Sequence, residues 1–223
     1  MNRRVFVVAA ACVITAVAVS AQVVPVDKEP HHRVRLDTIL LRVLDINIPP
    51  GETTLDHRHE RDIATVALAD GATRARTAEQ DWGAARGRAS GSTNVTMYTG
   101  AAGAHLVENT ATTPYHLIAV ENNRAGGWLD TKPMTAQGAS VVQQTRAFFA
   151  YDVTLPAGTR ATNHPHEMPV VIVLMSGAVE ISGNAGSEPS RVSQPGQWVL
   201  IPGGHNLGVV GSIDARVVEI EIR

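Results

Sequence analysis

Two histidine pairs, His57-Arg-His59 and His164-Pro-His166, stand 107 positions apart in the chain. On a strand the side chains alternate with period two, so both imidazoles of a His-X-His pair point to one face. A third histidine follows each pair, delivered by a glycine turn: Gly103-Ala-His105 in the first half and Pro202-Gly-Gly-His205 in the second. Three neutral imidazoles on one ion suit zinc, iron, copper or nickel and leave coordination positions open for water or a substrate. The candidate metal ligands are therefore His57, His59 and His105, and His164, His166 and His205.

The elements that must position these histidines also repeat. Leu44-Asp45 to Gly51 reads against Tyr151-Asp152 to Gly158, with Asp, Pro and Gly in register, so the chain is two like halves. In each half an alternating apolar strand runs into Pro-Pro-Gly or Pro-Ala-Gly, a turn that re-aims the chain before the histidine strand. Ile63 to Leu68 predicts a strand ending in a hairpin at Asp70-Gly71, and Val170 to Met175 another that Ser176-Gly177 returns. Thr73 to Gly91 is charged and weakly patterned and predicts a long, irregular hairpin. The last strand alternates strictly, with Val218, Ile220 and Ile222 on one parity and Glu219, Glu221 and Arg223 on the other. Many short strands separated by Gly and Pro turns make an all-β barrel or sandwich.

Residues 1–21 carry Arg3 and Arg4, an apolar run from Val5 to Val19 and a small-residue end at Ala21, the three parts of a secretory signal peptide. The expected location is periplasmic or secreted, with no membrane segment after its removal. The leader takes two of the 19 basic residues and none of the 21 acidic ones, moving the net charge from −2 to −4, which attracts no nucleic acid. It also takes Cys12, the only cysteine, so the mature chain has no disulfide, thiol nucleophile or thiolate ligand. Residues 22–35, including His31 and His32, read as an extended, solvated lead-in; 36–121 and 146–223 read as the two barrels, joined by a linker over 122–145. His116 reads as a surface or strand-end residue. No phosphate loop, Ser-His-Asp set, basic patch or glycosidase-like carboxylate pair is marked by any spacing.

These stretches resemble the cupin superfamily, whose first motif spaces Gly, His-X-His, Glu and Gly and whose second spaces Gly, Pro-X-Gly, His and Asn. Gly51, His57, His59, Gly71, His105 and Asn109 match in the first half; Gly158, His164, His166, Gly177, Gly196, Pro202 and His205 match in the second. The resemblance implies two tandem jelly-roll β-barrels, a bicupin. Where the family places its ligand Glu, this chain has Ile63 and Val170, and Val209 stands where the second Asn is expected. Glu60, Asp62 and Glu167 are near but of the wrong parity to face inward without a bulge. Some dioxygenases of the superfamily bind iron with three histidines alone, so the resemblance still allows a metal. Losing the carboxylate disfavours hard, oxygen-preferring ions such as manganese and leaves iron or zinc as the favoured divalent ion.

The sequence thus points to an exported, metal-binding bicupin acting as a metal-dependent, dioxygenase-like oxidoreductase on a small organic molecule, with catalytic groups beyond the ligands unassigned and a homodimer left open. The other reading is a non-enzymatic binding or structural cupin with degenerate metal sites.

Overall fold

The computed structural model describes residues 22–77, 80–124, 130–183 and 188–223. The leader, and residues 125–129 of the segment read as a linker, lie outside them. The first half runs through β1 (Val24–Pro25), a 3-10 turn (Val26–Lys28), β2 (His32–Asp37), β3 (Leu41–Ile48), β4 (His57–His59), β5 (Ile63–Ala67), β6 (Gly71–Arg76), β7 (Arg86–Arg88), β8 (Thr93–Thr96), β9 (Gly103–Asn109) and β10 (Tyr115–Asn122). The second runs through β11 (Ala139–Gln144), β12 (Phe148–Leu155), β13 (Thr162–His164), β14 (Val170–Ser176), β15 (Val179–Gly183), β16 (Ser190–Val192), β17 (Trp198–Ile201), β18 (His205–Val209) and β19 (Ala215–Ile222). Each half folds into two facing sheets, β1-β4-β9-β6-β7 over β2-β3-β10-β5-β8, and β13-β18-β15-β16 over β11-β12-β19-β14-β17. Both are jelly rolls, as the repeat requires. Among the described residues no helix is long and apolar enough to cross a membrane.

The expected hairpins at Asp70-Gly71 and Ser176-Gly177 are not hairpins. β5 pairs with β10 and β8 while β6 pairs with β7 and β9, so the Asp70-Gly71 turn carries the chain from one sheet to the other. β14 and β15 are divided in the same way. The local turn chemistry is as read, but long-range pairing decides where each strand goes. Gly51 and Gly158 do occupy equivalent left-handed turns, with φ of 74° and 78°. A Cβ at either would meet nothing within 4 Å, so backbone angle alone, not crowding, calls for glycine there.

The central strands of one sheet in each barrel are buried on both faces. Along β14, Val170, Ile172 and Leu174 fill the second barrel, whereas Val171 and Val173 join Leu41, Val43, Ala64, Val66, Ile118, Val120, Phe148, Val218, Ile220 and Ile222 in an apolar layer between the barrels. A strand buried on both faces reads as a continuous apolar run, which is what Val170 to Leu174 is. The last strand, β19, turns Val218, Ile220 and Ile222 toward that layer and Ala215 and Val217 into the second-barrel core, so Glu219 and Glu221, which share the latter parity, face into the barrel. Glu219 is 0% and Glu221 2% exposed.

Asn109, at the position of the second motif's Asn, is structural. Asn109 is fully buried; its side-chain amide donates to the carbonyls of Ile48 (2.9 Å) and Thr113 (2.8 Å), and its oxygen accepts from Ala111 N (2.9 Å). Asn109→Ala is expected to leave these groups unsatisfied and cost about 2 kcal/mol in a urea unfolding titration. An unchanged midpoint would show that water replaces the amide.

Candidate metal centres

The register of the strands brings each histidine trio together. His57 sits directly across from His105 in the β4–β9 pair, and His164 across from His205 in the β13–β18 pair. His59 shares the face of His57 on β4, whereas His166 lies past the end of β13 in a turn, its N–H donating to the His164 carbonyl at 3.0 Å, and completes the second set from there. All six histidines predicted as ligands thus converge in two clusters, each with one donor atom per residue lying within 4.8 Å of the others.

In the first barrel the ring centroids of the trio are 4.7 to 5.1 Å apart. His57 Nδ1 donates to the Leu55 carbonyl at 2.9 Å, which fixes the tautomer and leaves Nε2 as a lone pair. That Nε2 and His59 Nδ1 are buried without a hydrogen-bond partner. Burial, reinforced by the neighbouring imidazoles, holds His57 down to about 3 and His59 to about 2, and pushes His105 down as well. Neutral rings with unpartnered nitrogens are the form in which imidazole binds a metal. Tyr98 stacks on His59 at 4.9 Å, and a cavity of about 170 Å³, walled by Ile46, Ile48, Ile63 and Leu117, opens on the trio.

The second barrel has a fourth donor that the motif reading missed. Glu219, on β19, lies 3.0 Å from His164 Nδ1, from His166 Nε2 and from His205 Nε2, with all four side chains fully buried. The expectation of a site without a carboxylate is therefore wrong for this barrel: the motif Glu is absent, but a carboxylate arrives from a different strand. The argument against manganese, which rested on its loss, falls with it here. Behind Glu219, Glu221 bonds His166 Nδ1 at 2.9 Å and accepts from the Tyr151 hydroxyl at 3.1 Å. Burial alone would raise the Glu219 carboxyl, yet the three histidines hold it well below the usual range. Burial likewise opposes the charge on His166, but the two carboxylates raise it to about 9.

The His205–Glu219 contact needs a hydrogen or a metal ion between its two atoms. With the His205 hydrogen on Nδ1, toward the Gly203 carbonyl 3.3 Å away, Nε2 presents a lone pair to a carboxylate oxygen 3.0 Å away. Two acceptors at that distance require either a proton or a metal ion between them. Adjacent ligands at about 2.1 Å from a common ion are themselves about 3 Å apart, so the donor set also fits an ion. His164 Nε2 is buried without a partner, a further nitrogen that such a centre could use.

The register shows why the barrels differ. Glu219 stands across from Tyr151 on β12 and Ile172 on β14; Ala119 stands across from Leu44 on β3 and Thr65 on β5, the same places one repeat earlier. Alanine thus replaces the carboxylate in the first barrel. Glu121, which corresponds to Glu221, is bonded there to Arg42 at 3.1 Å. Ile63 and Val170 pack in the barrel cores, as their parity predicts. Glu60 and Glu167 are exposed, and buried Asp62 accepts from the backbone of Tyr98 and Thr99 at 2.7 Å each. His116 bonds Asp45 at 2.7 Å, away from both clusters.

His32 overturns the reading of residues 22–35 as solvated. It is 5% exposed and lines the first-barrel cavity, its ring 4.6 Å from that of His57. Prolines and the absence of a period hid it; an acidic residue three positions earlier, Glu29, was the local sign of a partner.

No family model matches the sequence, and no curated protein does. Solved structures are similar in fold. A cupin 2 conserved barrel domain protein from Leptotrichia buccalis superposes with TM-score 0.54 at 10% identity, covering 86% of this chain and 88% of that one. AerE from Microcystis aeruginosa gives 0.60 at 14%, covering 87% and 98%, and Lactobacillus farciminis oxalate decarboxylase in its formate complex 0.56 at 12%, covering 82% and 76%. The strand order, the two histidine clusters at equivalent places and these superpositions agree: the chain has the cupin fold, two jelly-roll barrels in tandem.

Proposed function

We propose that this is an exported metalloprotein with a divalent ion in each barrel and a division of labour between them. The reading rests on the fully buried set of three histidines and Glu219, in which a nitrogen of each ring lies 3.0 Å from the carboxylate and all four donors are close enough to share one ion. In the second barrel the ion is structural, because every donor is sealed from solvent and His166 is held from behind by Glu221, itself bonded by Tyr151. The first barrel is the reactive one: its trio borders a cavity sized for a small organic molecule, and its ligand set favours iron or zinc. A redox-active ion bound there would supply activation of dioxygen for a dioxygenase-like oxidation. The chain itself excludes water with Ile46, Ile48, Ile63 and Leu117, and fixes His59 by stacking Tyr98 on it. The leader-like residues 1–21 support export, and the acidic balance speaks for a small-molecule rather than a nucleic-acid partner.

Elemental analysis of natively purified protein, with His57→Ala and His164→Ala variants, tests this. Two ions per chain are expected in the parent and one in each variant. His164→Ala should also lower the unfolding temperature, while His57→Ala should abolish oxygen uptake across a panel of small organic acids, thiols and diketones. Metal-free parent protein, or oxygen uptake insensitive to His57, would reject the proposal.

A further inference from the structure

The first barrel lacks the carboxylate that the second has, but it has a side chain that the second lacks. His32 stands across from Ile46 on β3, and the corresponding place across from Val153 on β12 is Ala139. The two barrels are thus reciprocal: His32 with Ala119 in the first, Ala139 with Glu219 in the second. Each barrel sets one further potential donor beside its trio, from a different strand, and has alanine where the other has that group; Glu219 falls within the 4.8 Å set of its trio, whereas His32 stands just outside that of the first.

His32 is held as a ligand would be. Its Nδ1 is bonded to the carboxylate of Glu29, itself 2% exposed, and Glu29 also accepts from His31 N at 2.7 Å and Leu55 N at 3.3 Å. The carbonyl of Leu55 in turn receives His57 Nδ1. One carboxylate therefore fixes the orientation of His32 directly and ties it to the backbone that fixes His57. The segment is seated by its own pairing, Val24 lying parallel and opposite His57, and by Val26, 4% exposed in the first-barrel core. With Nδ1 committed, Nε2 is the nitrogen left for the cavity. The ring separation of 4.6 Å from His57 is shorter than any within the trio, and that from His59 is 6.4 Å.

We infer that His32 is the fourth imidazole ligand of the first-barrel metal centre and that Glu29, one residue removed from the ion, supplies the negative charge that Glu219 supplies directly in the second. A carboxylate bonded to the far nitrogen of a metal-bound histidine orients the ring and raises its basicity, and losing such a partner typically costs about 10- to 100-fold in affinity. The inference rests on the proposal that the first barrel binds metal at all.

The test is cobalt titration of the metal-stripped, full-length mature chain, followed by calorimetry and by the visible d–d spectrum, with His32→Gln and Glu29→Gln variants. The second-barrel ion in the same molecule reports that each variant is folded. The parent is expected to take up two cobalt ions. His32→Gln should weaken one of the two binding events by roughly tenfold or more and change its visible band, and Glu29→Gln should weaken the same event less and leave the band in place. Two ions with unchanged affinity and spectrum in His32→Gln would overturn the assignment of His32 while leaving the first-barrel centre standing. A parent that binds one ion, lost on His164→Ala, would overturn both.

Discussion

A Glu219→Gln protein is expected to hold one metal ion per chain where the parent holds two, and to unfold on the order of ten degrees lower. Glutamine keeps the volume of the side chain, so no cavity accounts for the loss; what disappears is the negative charge at the centre of three buried imidazoles. Removing one partner of a buried ion pair costs about 3 to 5 kcal/mol, because the remaining charge is stranded in a low-dielectric interior. For a chain of this length, each kcal/mol moves the unfolding temperature by about 2 to 4 °C. The metal-stripped protein should show this penalty too, since His166 is held protonated by Glu219 and Glu221 together. In the metal-loaded parent the bound ion adds its own stabilisation by mass action, about 2.7 kcal/mol at a hundredfold excess over the dissociation constant, which the variant forfeits. Glu180→Gln, an exposed position on the same barrel, is the control and should change neither quantity. Scanning calorimetry and elemental analysis on the three proteins read both effects; two ions and an unchanged midpoint in Glu219→Gln would mean that the carboxylate is a bystander.

Glu219 also marks where the sequence stops being legible. The repeat, the fold class and the convergence of the histidines follow from residue types and spacing: His57 and His59 share one face of a strand and the third histidine of each half sits directly across from the first, although His166 reaches its cluster from a turn past the strand end. Strict alternation along β19 is equally plain. Which parity faces inward is not, since the usual rule places apolar residues inside. Here the rule is satisfied on the other side: Val218, Ile220 and Ile222 are buried against the first barrel, which frees the interior positions for carboxylates. A strand alone does not reveal that both of its faces are covered. The hairpins expected at Asp70-Gly71 and Ser176-Gly177 failed for a related reason, in that turn residues announce a turn but not the sheet to which the next strand belongs, while the irregular hairpin expected over Thr73 to Gly91 forms as β6 and β7. His32 was hidden differently: its burial depends on the parallel pairing of Val24 with His57, a contact with no signature in the intervening residues.

Ala119→Glu is the reverse experiment, and it should turn the first barrel into a copy of the second. Ala119 is fully buried and occupies the same register position as Glu219, so a glutamate there leaves its strand in the same direction. The cavity of about 170 Å³ is lined by Thr65, directly across from Ala119, and by Leu117, two residues before it on the same face, which gives the longer side chain somewhere to go. It must still part the histidines. The His57 and His59 rings lie 5.0 Å apart, whereas His164 and His166, with Glu219 among them, lie 6.4 Å apart. Without metal, an extra buried carboxylate with no partner should cost several kcal/mol, and the metal-stripped variant should unfold well below the parent. With metal the sign reverses, because an anionic oxygen joins neutral nitrogens around a dication, and affinity for an oxygen-preferring ion such as manganese should rise by roughly a hundredfold or more. The same carboxylate fills the cavity, so oxygen uptake should fall as manganese affinity climbs. Calorimetric titration with manganese, paired with thermal unfolding with and without the ion, measures the trade. A folded Ala119→Glu protein whose manganese affinity equals that of the parent would mean that the two barrels do not share a common ligand geometry, whatever their shared strands.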